Sequence, residues 1–360
     1  MSAVQQQSAE KPRSAKVSDL YEIQEGDLER DADDILRLWR FLPGDNPPQR
    51  EKLDWYYRDN PAGAGTVLFL SYKPEQRNVG VVCLSPREFV VAGERAIGSV
   101  FGDFAVEPEH RSLGPALKFQ KDFLQYARER SDFIFGFPNP LSGKVRSFGG
   151  HKLGYSLDIY VLPLDFTAYL KSRLPGALAT PVGGALNLVS RSFYALRASF
   201  RRSGYQVVDY TPEFMDGLWQ SLVAGGWQIG RRDAQFVDWR IKKSPNHHYD
   251  LVAVEDQHGC AAAFAALRSG VNNALIVGDM AYTTDDALRA LVDELTRRHA
   301  GRRRSLTFTI PDHQSAAAVV LARAHFRVRD SFSAFVTVGL SHVEGASVDQ
   351  VVLSFIDNDV

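Results

Sequence analysis

The run Val100-Phe-Gly-Asp-Phe-Ala-Val106-Glu-Pro-Glu-His-Arg111-Ser-Leu-Gly114-Pro-Ala116 carries more structural information than any other part of this chain. Its first seven residues read as a strand, and Glu107-Pro-Glu-His as the turn that follows. Leu113, Leu117, Phe123, Leu124 and Ala127 then share the buried side of a helix. A strand that turns into a helix N-terminus is an anion site. The first helical amides have no internal acceptor, and the helix dipole points positive charge outward. Gly114 removes a Cβ where a phosphate would approach the backbone, Ala116 keeps the next turn low, and Arg111 adds a forked cationic donor. Pro115 offers no N–H, so one donor is missing, but its fixed φ suits a first helical turn. One glycine near a helix start is weak by itself, because a plain structural cap looks the same.

Outward from this run, the chain contains one unit twice. The first copy opens with Tyr21-Glu-Ile and a helix whose apolar positions are Leu28, Ala32, Ile35, Leu36 and Trp39, with Asp27 as the expected N-cap. The second opens with Tyr205-Gln-Val-Val and a helix capped by Thr211 with Pro212 at its first position. Asp54-Trp55 then matches Asp238-Trp239, and a hairpin follows in both copies. Gly102-Asp-Phe-Ala-Val matches Gly278-Asp-Met-Ala-Tyr, Phe135-Gly-Phe-Pro matches Phe308-Thr-Ile-Pro, and Leu153-Gly-Tyr matches Ala324-His-Phe. The offset drifts from 184 (Asp54 to Asp238) to 171 (Leu153 to Ala324), as small loop deletions would produce. Each unit reads β-α-loop-β-β-β-α-β-α-β, an α/β class fold with a mixed sheet and helices packed on it. The expected boundaries are a tail over 1–16, a first domain over 17–164, a basic helical linker over 165–204, a second domain over 205–340 and a tail over 341–360.

In full, the loop reads Val106-x-Pro108-x-x-Arg111-x-x-Gly114-x-Ala116-x-x-Phe119. This resembles the pyrophosphate loop of the GNAT acyl-CoA transferases, Arg/Gln-x-x-Gly-x-Gly/Ala after the fourth strand. Gly136-Phe-Pro-Asn139-Pro-Leu-Ser142, ending at Lys152-Leu-Gly154-Tyr155, looks like the family's fifth strand, its Asn, its fourth helix and its Gly-aromatic opening of the next strand. The run Asp54-Trp-Tyr-Tyr-Arg-Asp-Asn60-Pro-Ala-Gly63 is similar to bacterial members linked with surface-polysaccharide and glycoconjugate pathways. The resemblance implies tandem acyl-CoA N-acyltransferase folds and an acyl-CoA co-substrate, usually acetyl-CoA, between splayed fourth and fifth strands, without a metal. Its pyrophosphate would meet the loop from Ser112 through Leu113, Gly114, Pro115 and Ala116 to Leu117. Its pantetheine would run along Phe104, Ala105 and Val106, with Asn139 and Ser142 across the thioester. The implied reaction is acetyl transfer to an amine of a small molecule or amino sugar. The second copy reads Tyr282-Thr-Thr-Asp-Asp-Ala-Leu-Arg289 at the loop, without the Gly and with two acids that repel phosphate, so it is expected not to bind CoA.

Amine attack on a thioester needs a base and benefits from an acid. Asp103 is a candidate base on the right strand, although Asp279 repeats it in the copy that lacks the loop, as a structural carboxylate would. Glu107 ends the same strand. The family's usual Tyr acid is absent from its expected place, where Phe148 and His151 stand instead, so His151 and Tyr155 are the candidates for that role. Trp55 recurs in the second copy and reads as structural. Tyr56, Tyr57 and Arg58 do not recur and are the candidates to hold the acceptor.

Composition limits the alternatives. The chain has 360 residues, 44% hydrophobic and 24% charged, with 42 basic and 43 acidic side chains for a net charge of −1. A near-neutral surface has no bulk field for nucleic acid and argues against an aminoacyl-tRNA-dependent peptide-bridge transferase, which also pairs GNAT-like domains. A non-catalytic CoA-binding protein stays open because of Pro115 and the missing Tyr. Cys83 and Cys260 are too few for a disulfide framework or a thiolate zinc site and read as buried thiols in a reducing cytoplasm. His247-His248 and Arg302-Arg303-Arg304 lack partners at metal or nucleic-acid spacing. No run of 18 apolar residues occurs, and the polar start has no apolar core of a secretion signal. The linker stands apart. From Phe166 to Val208 it has no acid, while Lys171, Arg173, Arg191, Arg197, Arg201 and Arg202 give +6, leaving −7 on the remainder. A basic, aromatic helix over 185–202 can lie on anionic headgroups or pair with acids of the domains.

Overall fold

The computed structural model describes residues 17–42, 49–137, 153–171, 173–201, 204–338 and 351–357. The first half opens with α1 (Val17–Leu20), β1 (Tyr21–Gly26), α2 (Ala32–Trp39) and α3 (Arg50–Lys52). The last of these runs straight into a π-helical turn, Leu53–Arg58. β2 (Thr66–Tyr72), β3 (Arg77–Val91) and β4 (Glu94–Val106) form an antiparallel meander, followed by α4 (Leu113–Arg128) and β5 (Phe133–Gly136). β6 (Leu153–Pro163) leads to two helices, α5 (Phe166–Lys171) and α6 (Gly176–Arg201). The second half repeats the plan with β7 (Tyr205–Val208), α7 (Pro212–Ala224), β8 (Ile229–Gly230) and α8 (Ala234–Val237), and α8 also enters a π-helical turn, Asp238–Lys242. β9 (Asp250–Asp256), β10 (Ala261–Ser269), β11 (Leu275–Tyr282), α9 (Asp285–His299), β12 (Ser305–Pro311), α10 (Ser315–Arg323) and β13 (Arg327–Val338) complete it.

Local chemistry explains the helix starts. Thr211 Oγ1 accepts from the Phe214 N–H at 3.1 Å, with Pro212 at the first helical position as its fixed φ requires. Asp27 does not cap the first long helix. Its Oδ1 takes the Glu29 and Arg30 amides of the turn before it, and the helix starts after Asp31.

The two π-helical turns meet back to back. Trp55 Nε1 donates to the Trp239 carbonyl and Trp239 Nε1 to the Trp55 carbonyl, each at 2.7 Å. Such reciprocity is the signature of a two-fold relation between equivalent pieces. Tyr56 stacks on Trp239 with an interplanar angle of 17°. Around these rings one core crosses both halves, joining Ile35, Leu38, Trp39 and Phe69 to Phe214, Leu218 and Phe264. On the opposite face of the first half, Phe119 and Phe123 of α4 pack on Leu68, Leu70 and Phe101.

The halves are not self-contained sheets. A single sheet runs β1-β2-β3-β4-β5-β13-β6-β12-β11-β10-β9-β7. β13 of the second half completes the first by pairing with β5, Phe335 opposite Gly136, while β6 of the first half pairs with β12, Leu306 opposite Leu162. The terminal strands are therefore exchanged across the midline. The expected boundary at 164/165 is a change of element, not of sheet.

Two further expectations change. The segment 341–360 is not a tail throughout, because Val351, Leu353 and Ile356 are buried and Asp357 meets two buried arginines. Cys83 is buried as expected, but Cys260 is exposed. No helix among the described residues is long and apolar enough to cross a membrane.

Candidate functional site

β4 and β5 pair in parallel over three positions only, Gly98–Val100 against Phe133–Phe135. Gly98 permits that approach: a Cβ there would lie 2.5 Å from the Phe133 ring. Beyond Val100 the described pairing ends, and Gly136, the last residue of β5, is paired with β13. β4 continues to Val106, and its outer edge has no strand partner among the described residues. Unpaired edge N–H and C=O groups need partners, and a ligand amide or carbonyl can supply them.

A bulge in the β3–β4 ladder follows. Val81 faces Ala105 and Cys83 faces Gly102, so Asp103 and Phe104 together oppose Val82. Asp103 adopts φ +47°, a left-handed conformation that asparagine and aspartate tolerate better than most. Its carboxylate is buried and accepts from Lys52 Nζ at 2.9 Å and from the Tyr57 hydroxyl at 2.7 Å. Lys52 closes α3, and Tyr57 lies in the π-helical turn that follows. Beneath them the Cys83 thiol is pushed well up by burial and by the charge of Asp103. The second copy repeats the device. β10 and β11 slip register at Asp279, whose carboxylate meets Arg232 Nε at 3.0 Å and Ser354 Oγ at 2.8 Å. Both copies thus hold the bulge with a buried carboxylate against a cation.

The other end of the strand leads to the helix start. Ser112 is the N-cap of α4, its own N–H donates to the His110 carbonyl at 2.9 Å, and Ala116 N–H returns to the Ser112 carbonyl at 3.2 Å. The Leu113 and Gly114 amides have no acceptor in the preceding turn, and Pro115 has no N–H to give. The expected array from Ser112 to Leu117 reduces to this pair. Arg111 lies beside it, with Nη2 donating to the Val106 carbonyl at 2.9 Å and the Phe41 carbonyl at 3.1 Å, so its first role is to tie the loop to α2. Phe104 packs on Phe101 and Phe119, while Ala105 and Val106 are buried.

Glu107 does not stand free as a base. Arg37 Nη1 and Arg77 Nη1 each donate to it at 2.5 Å, and although burial opposes its charge, the two guanidiniums outweigh it and hold the carboxyl below its usual range. Tyr56 and Tyr57 are buried at 3% and 0% exposure, which leaves neither ring a face for a sugar. Arg58 is committed to Asp54 and the Leu28 carbonyl. Asn139, Ser142 and His151 lie outside the described residues, and Tyr155 is placed by its backbone, opposite Ala334 of β13. Sequence reasoning passed over Gln120. This side chain lies one turn beyond Ala116 on the same side of α4 and is 1% exposed, with no partner for Oε1 or Nε2 among the described residues.

Compared by sequence, the chain matches no family model and no curated protein. Compared by structure, it matches a GCN5-related N-acetyltransferase from Anabaena variabilis over 89% of this chain and 73% of that one, with 10% identity and a TM-score of 0.59. A tandem GNAT protein from the clavulanic acid biosynthesis pathway matches over 89% of this chain and 99% of its own, with 13% identity and a TM-score of 0.51. Here the chain has a tandem GNAT fold. Saccharomyces cerevisiae N-myristoyltransferase, solved with bound myristoyl-CoA, also matches, at 12% identity and a TM-score of 0.52, over 96% of this chain and 90% of that one.

Within the tandem GNAT fold the two clefts are not alike. β11 and β12 also pair in parallel over a short stretch only, Leu275–Ile276 with Leu306–Thr307. There the chain's own segment closes the gap, with Val352 bridged to Ile229. The cavity left beside Met280, Tyr282, Pro311 and Leu353 is about 20 Å³, room for about one water. At the helix start, Thr284 Oγ1 takes the Ala287 amide, and Asp285 and Asp286 fill the first turn. This cleft is small and its helix start is acidic, unlike that of α4.

Proposed function

We propose that the chain is an acyl-CoA-dependent N-acyltransferase whose site is the first-half cleft between β4 and β5. The reading is supported by the short β4–β5 pairing, which ends at Val100 while β4 runs on to Val106 above the start of α4. Acyl-CoA enters with its diphosphate on the Leu113 and Gly114 amides at the positive end of α4 and its pantetheine on the open edge of β4. Gln120 then finds the partner that no described residue provides. Edge N–H groups near the bulge stabilise the oxyanion as an acceptor amine attacks the thioester carbon. The ammonium first gives one proton to solvent; the new C–N bond then forms as the C–S bond breaks, and a second proton passes from nitrogen to the leaving thiolate, so that CoA departs as the thiol. Asp103, clamped by Lys52 and Tyr57, shapes the bulge on which those N–H groups sit.

The acceptor is an amine of a small molecule or amino sugar. Tyr56, Tyr57 and Arg58 do not line its site, and the second half contributes β13 to the wall beside β5. A thiol-release assay with acetyl-CoA over a panel of amino sugars and simple amines tests the reading. Acceptor-dependent release that vanishes in Gly114→Glu, where a carboxylate stands in the phosphate's place, supports it. Absence of release with every amine, or release unaffected by Gly114→Glu, refutes it.

A further inference from the structure

Helix α6 carries two apolar stripes, and the body of the protein covers only one. On the covered side, Gly183 approaches α5 so closely that a Cβ would lie 2.4 Å from Thr167 Cα. Asn187 Oδ1 accepts the Phe166 amide at 2.7 Å, Tyr194 enters the second-half core, and Arg197 pairs with Asp293 of α9 at 2.7 Å. On the neighbouring side, Leu178, Val182, Leu186, Val189, Phe193 and Leu196 are each between 41% and 65% exposed. At 3.6 residues per turn they fall within an arc of about 80° and a length of about 27 Å. Single exposed apolar residues are ordinary, but a continuous line of six marks a surface that is covered in use.

Charge selects what covers it. The segment from Phe166 to Val208 has six basic residues and no acid. Lys171 and Arg173 at the tip of the α5–α6 hairpin are both exposed. A second copy of the chain would set one acid-free segment against another, and neither segment has acids of its own to offset the charge of Lys171 and Arg173. An anionic bilayer answers both features, with acyl chains for the stripe and headgroups for the cations.

We infer that the α5–α6 hairpin is a docking surface for an anionic membrane, on which α6 lies in the plane of the interface. The contact differs from the one the sequence suggested. Arg197 is taken by Asp293, and Arg191 donates to the Ala300 and Gly301 carbonyls at 3.1 and 2.8 Å, so those two arginines hold the helix to the protein. The bilayer contact moves toward the hairpin tip.

The full chain is tested by co-sedimentation with vesicles of phosphatidylglycerol and phosphatidylcholine, with vesicles of phosphatidylcholine alone, and by size-exclusion chromatography without lipid. The wild type pellets with the anionic vesicles, stays in solution with the neutral ones, and elutes as a monomer. Lys171→Gln with Arg173→Gln lowers the partition constant roughly 30-fold. Val189→Asp with Phe193→Asp removes the pelleted fraction. These side chains are exposed, so the fold survives, and an unchanged circular dichroism spectrum confirms it. Failure of the wild type to pellet with anionic vesicles overturns the inference, as does equal pelleting by the aspartate variant. A wild-type dimer that the two aspartates dissolve overturns it in favour of a second copy.

Discussion

Asp103 shows what a single position in this chain can and cannot disclose. The sequence offered it both as a base and, through Asp279, as a structural repeat, and in the fold it meets Lys52 and Tyr57 much as Asp279 meets Arg232 and Ser354. Lys52 itself gave no signal, because the 184-residue offset that relates Asp54 to Asp238 aligns it with Phe236. Glu107 was visible as an acid at a strand end, but its partners Arg37 and Arg77 come from α2 and β3, far away in sequence. Its titration is predictable. A carboxyl held low in the folded state contributes stability above its unfolded range near 4.5 and loses it as pH falls. Urea unfolding of Glu107→Gln should show lower stability than wild type at pH 7 and a smaller loss between pH 5 and 3; an identical pH dependence in the two proteins would contradict the assignment. Gln120 makes the opposite kind of prediction. Gln120→Leu removes a buried unsatisfied amide, so the ligand-free protein gains about 1 kcal/mol while acetyl-CoA affinity drops. A loss of stability without a loss of affinity would show that Gln120 has no ligand to meet.

At the scale of elements, periodicity and capping made most of the helices and strands legible, and the strand–turn–helix run from Val100 announced the anion loop. The pairing of strands was another matter. β6 and β13 are apolar enough to lie in either half, and nothing in the pattern of either strand states which neighbour it takes. The segment Val351–Asp357 was missed for a related reason. Seven residues with one acid and a serine look like the end of a tail until Arg87 and Arg232 are placed around Asp357. Burial disfavours the charge of Asp357, but Arg232 and Arg87 outweigh burial and hold its carboxyl low, while Arg87 is itself pushed down to about 10, chiefly by burial. Asp357→Asn leaves two buried guanidiniums short of a counter-charge, and the expected cost is about 3–5 kcal/mol in urea unfolding. A cost below about 1 kcal/mol would mean that this segment does not lock the second cleft.

For the molecule as a whole, duplication was readable from ordered anchors, whereas the interlocking of its products was not. The two copies share one core, trade terminal strands and face each other through Trp55 and Trp239, yet they have diverged in the one place where ligand chemistry would act. In the first, no described strand pairs with the edge of β4 beyond Val100, and the Ser112 side chain makes no cap hydrogen bond at the helix start. In the second, the cleft is filled by the chain itself and the helix start is acidic. The neutral total charge hides a further asymmetry, a basic hairpin on an otherwise acidic body. Isothermal titration calorimetry with acetyl-CoA tests the central claim most directly. One molecule should bind per chain, and Gly114→Glu should abolish the heat of binding. No binding, two molecules per chain, or one molecule still bound by Gly114→Glu would contradict the account.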